Sequence, residues 1–288
     1  MAVASEAPAS FRSSAIRPGP VGLIREGISD VLSRRRLIRY LVQADLKKKG
    51  SDTLLGNIWW VLDPLLQMLV YVFLVTVIFS RDTPDYPLFI FCAILPWKWF
   101  NSSITDGIAS VVGMERLIKQ ISFPKIVLPV ASVFAGIANF FFGLIPLAVM
   151  IALAFPHRAS AWVLLIPVIA AVQLIFTLPL AMVLAAINVF YRDVGNLARH
   201  VLRLAFYASP GIYALDLIYR AADQLPLLKP FILANPWIVL FGAYRDVIYH
   251  GRAPDWIGLG VVALVSVVLL AVAIFMFKRL EPTFAKVL

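Results

Sequence analysis

The sequence contains one cysteine, Cys92, and three histidines among its 288 residues. A lone cysteine cannot form an internal disulfide and cannot build a cysteine-rich metal site. The histidines His157, His200 and His250 lie far apart in the chain and lack the spacing of metal ligands. Charged residues make up only 15% of the chain, whereas 61% of the residues are hydrophobic. Because so little charge cannot cover a water-soluble enzyme, the composition indicates a membrane protein.

Three sequence patterns are also missing. There is no G-x-x-x-x-G-K-[ST] run, so the chain has no phosphate-binding loop for ATP. There is no Ser-His-Asp grouping, carboxylate pair or acidic sugar-nucleotide site of the kind that marks a catalytic centre. Residues 1–27 lack the apolar core of a secretory signal, and we interpret them as a disordered cytoplasmic tail. We therefore expect no enzymatic activity in this chain.

Six apolar segments are long enough to cross a bilayer, which takes roughly 20 helical residues. They cover residues 58–79, 88–112, 127–155, 161–191, 197–217 and 256–277. Backbone groups cannot stay unpaired in lipid, and the segments lack the period-two alternation of a barrel strand. The sequence therefore predicts an all-α membrane protein with a six-span transmembrane domain at 58–277.

The 26 basic residues are grouped along the chain. Ten lie in the first 57 residues, and three each lie in 113–126, in 191–204 and after residue 277. With six spans these nineteen fall on one side of the membrane, against six on the other, while Lys98 lies within a span. The positive-inside rule then predicts a multi-pass inner-membrane protein with both termini, including the 278–288 tail, in the cytoplasm. The grouping does not resemble a nucleic-acid-binding surface.

Residues 28–49 combine an apolar helical face with a basic one. The basic face includes Arg34, Arg35, Arg36 and Arg39. We expect an amphipathic helix in the inner membrane surface, followed by a connector to residue 57, because apolar burial and anionic lipid both favour that position. The alternative is a solvated basic linker.

Residues 113–126 connect the second and third predicted spans. The exposed face of a short helix there would carry Glu115, Arg116 and Lys119, and its packing face would carry Leu117, Ile118 and Ile121. Ser122 suits the cap of the next helix and Pro124 its first turn. The pattern predicts a short, rigid cytoplasmic helix that moves with two spans. The alternative is an ordinary connecting turn.

Residues 210–255 contain apolar runs too short to cross the membrane. Pro210, Pro226, Pro230 and Pro236 interrupt them. We expect short re-entrant helices that dip into the outer leaflet and return, enclosed by protein or a watery cavity. A full crossing would move the basic C-terminal tail to the other side of the membrane.

The chain resembles the ABC-2 permeases of the polysaccharide-export branch, the Wzm/TagG type, from about residue 35 to its end. The matching stretches are LGNIWWVLDPL at 55–65, LPWKWF at 95–100, ISFPK at 121–125 with LP at 128–129, FYRDV at 190–194, SPGIY at 209–213, and NPW at 235–237 before YR at 244–245. One such motif would be weak, but their order and spacing over most of the chain make the resemblance specific.

This resemblance implies a homodimer of six-span subunits with two ABC ATPase subunits docked from the cytoplasm. ATP and Mg would be bound by those partners, and this chain would hold no cofactor. The 113–126 helix would be the ATPase-coupling helix, with Glu115, Arg116, Leu117, Ile118, Lys119, Phe123 and Lys125 at the contact. Residues 28–49 would be the interface helix beside it. The outer gate would include Pro210, Gly211 and Tyr213.

The same resemblance implies a path for a lipid-linked glycan along the first, second and fifth spans at the dimer interface. Candidate path residues are Trp59, Trp60, Trp97, Lys98, Trp99 and Phe100. Aromatic faces stack on sugar rings and also hold cations, so Lys98 and its aromatic neighbours could contact the cargo. They could equally be an interfacial anchor with a snorkelling lysine.

Two carboxylates, Asp63 and Asp106, lie near the ends of predicted spans. They could be structural or could relay protons, although their near-interface depth favours structure. The function predicted is export of O-antigen, galactan or teichoic acid. The alternatives are an ABC-2 exporter of drugs or small lipids, and an ATP-independent flippase or membrane transferase.

Overall fold

The computed structural model describes residues 18–50, 55–78, 83–224, 226–227 and 229–288. Within these ranges the α-helices are α1 (Pro20–Ser33), α2 (Arg35–Gly50), α3 (Trp59–Val72), α4 (Tyr86–Ser110), α5 (Glu115–Gln120), α6 (Val127–Leu153), α7 (Ile166–Phe190), α8 (Val194–Ala208), α9 (Leu215–Gln224), α10 (Lys229–Leu233), α11 (Pro236–Arg245) and α12 (Trp256–Val287). Two π-helical segments, Phe73–Ile78 and Asp246–His250, extend α3 and α11. Four short 3-10 helices are Gly56–Ile58, Val112–Met114, Pro156–Arg158 and Ala161–Leu165.

The described residues form no strand, which confirms the all-α prediction. Several predicted segments fall partly outside them: residues 1–17 of the tail, 51–54 of the connector, residue 79 of the first span, and residues 225 and 228 of the re-entrant region.

Four helices in the described part of the chain are long and apolar enough to cross a membrane. They are Trp59–Ile78, Val127–Leu153, Ala161–Phe190 and Trp256–Val287. They correspond to the first, third, fourth and sixth predicted spans. The second prediction forms α4, whose 25 residues make it about 37 Å long at helical rise. Lys98 and Asp106 make α4 less apolar than the other four.

The fifth predicted span, 197–217, is not a single helix. α8 ends at Ala208 after 15 residues, or about 22 Å, and the backbone of Ser209 is extended. The reason is Pro210, because proline disfavours the helical conformation in the residue before it and lacks an N–H of its own. The chain turns through Pro210 and Gly211 and resumes as α9 at Leu215.

The helix α4 forms the centre of the bundle, packed by α3, α6, α7, α8 and α11. Residues 88–95 of α4 are each at most 5% exposed, because the helix is apolar on all sides over that stretch. α6 approaches α4 closely at Gly136, where an added Cβ would lie 2.4 Å from Ser103 Oγ and 2.7 Å from Trp99 Cδ1. The two helices therefore have no room for a side chain between them at this level.

The N-terminal helix begins earlier than predicted and is divided in two. α1 begins at Pro20, where a proline suits the first turn, so residues 20–27 are helical and not disordered. The break falls at Arg34, between α1 and α2. α1 packs along α12, where Gly27 lies against Ile274. Lys278 of α12 is only 8% exposed and pairs with Glu26 at 3.0 Å, Asp30 at 2.8 Å and Glu281 at 2.8 Å.

Candidate functional site

A cavity of about 240 Å³ lies between α3, α4 and α6. Its lining is aromatic and polar: Trp59, Trp60, Asp63, Pro64, Leu95, Lys98, Trp99, Ser102, Asn139 and Phe140. Four of the six candidate path residues, Trp59, Trp60, Lys98 and Trp99, thus meet around one space. Trp60 and Lys98 lie 38 positions apart in the chain, and the packing of α3 onto α4 brings them together.

An ion pair joins two walls of this cavity. The Lys98 ammonium of α4 donates to the Asp63 carboxylate of α3. The Lys98 side chain is 28% exposed and that of Asp63 is 62% exposed, so the pair is open to the space outside the helices. The cavity surface therefore carries an ammonium and a carboxylate that are both partly exposed.

A buried amide adds a polar group that the sequence analysis did not single out. Asn139 of α6 lines the cavity, and its Oδ1 is buried without a hydrogen-bond partner among the described residues. Buried polar atoms are usually paired, so this oxygen is an acceptor without a partner in the wall of the cavity. The available signal was a lone asparagine in a 27-residue apolar helix.

The remaining two candidate path residues lie elsewhere. Trp97 is 6% exposed and its ring centroid lies 4.8 Å from that of Trp237 and 5.2 Å from that of Phe206. Phe100 is 5% exposed and stacks on Phe176 at 5.6 Å. Both rings face a core between α4, α7, α8 and α11. Only the other face of α4, which carries Lys98 and Trp99, reaches the cavity.

The lining of the cavity is suited to ligand binding. Tryptophan and phenylalanine faces stack on apolar ring surfaces, while the carboxylate, ammonium and amide groups hydrogen-bond hydroxyls. No group of three or more His, Cys, Asp or Glu side chains within the described ranges is arranged to hold a metal ion. The arrangement is that of a polar, aromatic-walled binding surface within a helical membrane bundle.

The predicted coupling segment contains a shorter helix than expected. α5 covers six residues, and Ile121 and Phe123 lie in the extended chain after it. Ile118 is 5% exposed and packs into the core, whereas Arg116 is exposed. Ser122 does not cap the next helix, because α6 begins at Val127 with Ile126 before it.

Two contacts fasten this segment to the end of α12. Lys119 donates to Glu115 Oε1 and to the backbone oxygen of Leu288, both at 2.7 Å. The hydrogen bond from Lys119 holds the pKa of Glu115 below its ordinary value. The backbone N–H of Lys125 donates to Glu281. The segment and the end of α12 therefore form one connected surface.

The predicted interface helix presents its arginines outward. Arg34, Arg35, Arg36 and Arg39 are all exposed, while the apolar side of α2 packs towards the core. The ammonium of Lys49 lies 2.7 Å from Asp106 of α4 and 3.0 Å from Asp45. Asp63 and Asp106 thus each have a basic partner, as structural carboxylates do.

The predicted outer-gate segment is held by a residue whose role the sequence analysis did not recognise. The Arg245 guanidinium is 2% exposed and donates to the carbonyl oxygens of Pro210 and Gly211 at 2.5 Å and of Tyr213 at 3.4 Å. It also lies 3.7 Å from the Phe89 ring centroid. Its signal in the sequence was an arginine directly after the apolar run of α11.

The neighbouring residue extends this support into the bundle. Tyr244 donates to Gln173 Oε1 at 2.9 Å, and Gln173 Nε2 donates to the carbonyl of Pro96 at 2.8 Å. All three groups are buried. α11 is therefore tied both to the Pro210–Tyr213 segment and, through Gln173, to α4 one residue before Trp97.

Comparison with known proteins places the chain in a family, although no protein-family model matches it. The O-antigen export system permease protein RfbA of Myxococcus xanthus is 36% identical over 259 residues, which cover 90% of this chain and 98% of that protein. Two proteins of the same name from Klebsiella pneumoniae are 28% identical over 253 and 255 residues. Each of these covers 88% of this chain and 95% of the relative. The chain belongs to the family of O-antigen export system permeases.

Proposed function

We propose that this chain is the permease subunit of an ATP-driven exporter that moves a lipid-linked polysaccharide across the cytoplasmic membrane. The observation that carries the proposal is the 36% identity to a curated O-antigen export permease over 98% of that protein. The cavity between α3, α4 and α6 supports it, because tryptophan faces beside hydroxyl-binding groups suit a sugar chain. The cargo class is that of O-antigen, galactan or teichoic acid.

In this proposal two copies of the chain form the conduit, each with six crossings and both termini in the cytoplasm. The helix α4 and the broken element α8–α9 supply the two crossings beyond the four apolar helices. The exposed apolar side chains of α3 and α8, including Leu69, Phe73, Leu197 and Val201, would face the second copy or lipid. The arginines of α2 would lie against anionic headgroups.

A separate ABC ATPase, in two copies, would supply the energy, with ATP and Mg bound there. Its contact would be α5 and the chain after it, because Arg116, Lys119 and Ile121 are exposed on that surface. The bonds from Lys119 and from the Lys125 backbone would carry a displacement of this segment to α12. This route needs no ionisable relay within the spans.

Depletion of the chain from its host is the direct test of this function. We expect lipid-linked polysaccharide to accumulate on the inner face of the membrane and surface polysaccharide to fall at least about tenfold. Pull-down of the tagged chain should also recover an ABC ATPase. Unchanged surface polysaccharide, with export of a drug or small lipid lost instead, would reject the proposal. ATP hydrolysis by the purified chain alone, or termini on opposite faces of the membrane, would also reject it.

The Lys98–Asp63 pair gives a prediction about the path itself. In the depleted strain, Lys98→Met should lower the rate of polysaccharide export about tenfold at equal protein level, because the cavity loses its ammonium. The exchanged variant Lys98→Asp with Asp63→Lys restores an ion pair but moves the ammonium to α3. We expect this variant to stay slow. Arg220→Met, at an exposed residue away from the cavity, is the matched control. Full recovery in the exchanged variant would mean that the pair is only structural.

A further inference from the structure

A second, larger cavity of about 590 Å³ lies at the other end of the bundle from α5. It is bounded by the chain before α4, by α9, by α11 with its π-helical extension, and by the segment before α12. The length of α4, about 37 Å, separates this end from the coupling segment. The volume falls within the range of roughly 300–1,000 Å³ typical of small-molecule sites.

One wall of this cavity is α9, which presents an aromatic ring and a carboxylate together. Tyr219 is 46% exposed and Asp216 is exposed, and both line the cavity. Residues three apart share a helix face, so the ring and the carboxylate stand side by side. Asp216 makes no ion pair with any described residue. A stacking surface beside a free hydrogen-bond acceptor suits a sugar ring.

The facing wall contains Arg245 and the charged groups after it. The two terminal nitrogens of Arg245 bind backbone carbonyls, but its Nε has no partner among the described residues. A buried donor of this kind is normally paired, and Arg245 lines the cavity. Beside it Arg252 pairs with Asp246 at 2.7 Å. This wall therefore contains one buried donor without a partner and two charged groups that neutralise each other.

The balance of charge indicates which ligand fits. Three carboxylates, Asp216, Asp246 and Asp255, face two guanidiniums, those of Arg245 and Arg252. Asp255 already accepts the N–H groups of Ile257 and Gly258 at 3.1 and 3.0 Å. A phosphate or acidic sugar would meet at least as much negative as positive charge here. A neutral, hydroxyl-rich ring can stack on Tyr219 and bond both kinds of group without a net charge cost.

We propose that this cavity binds a neutral sugar unit of the exported polysaccharide at the end of the bundle opposite to α5. The proposal rests on the proposed function. Bound there, the glycan contacts α9 directly and reaches the Pro210–Tyr213 segment through Arg245. The cavity would therefore hold the chain where it leaves the conduit, and it is distinct from the space around Lys98 and Trp99.

Photo-crosslinking in cells tests the site. The photoreactive residue benzoylphenylalanine replaces Tyr219, or Asp216 as a second position, in the full chain with its natural partners. Arg220, exposed and next to Tyr219 but outside the cavity, is the matched control position. The probe is the cell's own polysaccharide, detected on the immunopurified chain by periodate staining. We expect glycan-bearing product at 219 and 216, at least about fivefold more than at 220.

The outcomes separate this proposal from the proposed function. If the 219 and 216 variants export polysaccharide normally but give no more glycan product than the 220 variant, the sugar site is wrong and the export function stands. If depletion of the chain leaves surface polysaccharide unchanged, the export function fails and the site fails with it. As a second measurement, Tyr219→Ala should lower the export rate about fivefold while Arg220→Ala leaves it unchanged. Equal rates in these two variants would contradict the site.

Discussion

Arg245→Leu is expected to lower the free energy of unfolding by about 3 kcal/mol or more, because a hydrogen bond to a charged group contributes about 1.5–3 kcal/mol. The substitution removes the donors for the carbonyls of Pro210, Gly211 and Tyr213, which then lie beside an apolar side chain. Arg245 is 2% exposed, so water cannot easily take its place. The midpoint of unfolding in a denaturing-detergent titration of the purified chain measures the loss.

The control for this prediction is Arg252→Leu. Arg252 is also an arginine, but its partner is the Asp246 carboxylate and its side chain is 68% exposed, so we expect a cost below about 1 kcal/mol. Arg245→Lys keeps the charge but loses the planar guanidinium that reaches several carbonyls. Its loss of stability should fall between those of Arg245→Leu and Arg252→Leu. Equal unfolding midpoints for the Arg245→Leu and Arg252→Leu chains would show that Arg245 does not hold the Pro210–Tyr213 segment.

Lys278→Met should have an effect of similar size at the other end of the molecule. The ammonium of Lys278 is shared by Glu26, Asp30 and Glu281 within 3.0 Å. Glu281 is 6% exposed, so loss of Lys278 leaves a buried carboxylate without its cation. Removing one partner of a buried pair typically costs about 3–5 kcal/mol. We expect a large loss of stability and release of α1 from α12.

Two measurements check the effect of Lys278. Limited trypsin digestion should cut at Arg25 faster in the Lys278→Met chain, because α1 is freed from α12. Arg279→Met, at the exposed neighbouring position, should change neither the unfolding midpoint nor the cleavage rate. Adding Glu281→Gln to Lys278→Met should recover part of the stability, because the unpaired charge is removed. A Lys278→Met chain as stable as the Arg279→Met chain would contradict the role of this cluster.

The helices that the sequence predicted well are those whose signal is local. An uninterrupted apolar run of about 20 residues has one stable form in lipid, so 127–155 and 161–191 gave α6 and α7 within a few residues. The same length rule failed at 197–217. There Pro210 was visible in the sequence, but the span was predicted from hydrophobicity alone, which does not separate α8 from α9.

The candidate site was only partly predictable because it depends on rotation about the helix axis. A motif such as LPWKWF places aromatic residues next to one another in the chain, yet consecutive residues of a helix point in different directions. Trp97 and Phe100 therefore face the core, while Lys98 and Trp99 face the cavity. The packing of α6 and α11 against α4 decides which side chains of α4 face the core and which face the cavity. Those contacts join residues that are distant in the sequence.

The hydrogen bonds of Arg245 and Gln173 could not be predicted from the sequence, for a different reason. The N–H groups of both side chains donate to backbone carbonyls, which every residue possesses, so no residue type marks these partners. A charged or amide side chain in an apolar run indicates that some partner exists. Only the packing of α11 against α4 and α7 shows which one.

The contact at Gly136 bears on how the cavity beside Lys98 can change size. Trp99 and Ser103 of α4 already touch the bare backbone of α6, so those two helices cannot come closer and are braced by the bundle behind them. α3, by contrast, lies at the periphery with few buried residues. Movement of α3 alone can therefore change the width of this cavity, and under the proposed function it would determine how bulky a sugar the cavity admits.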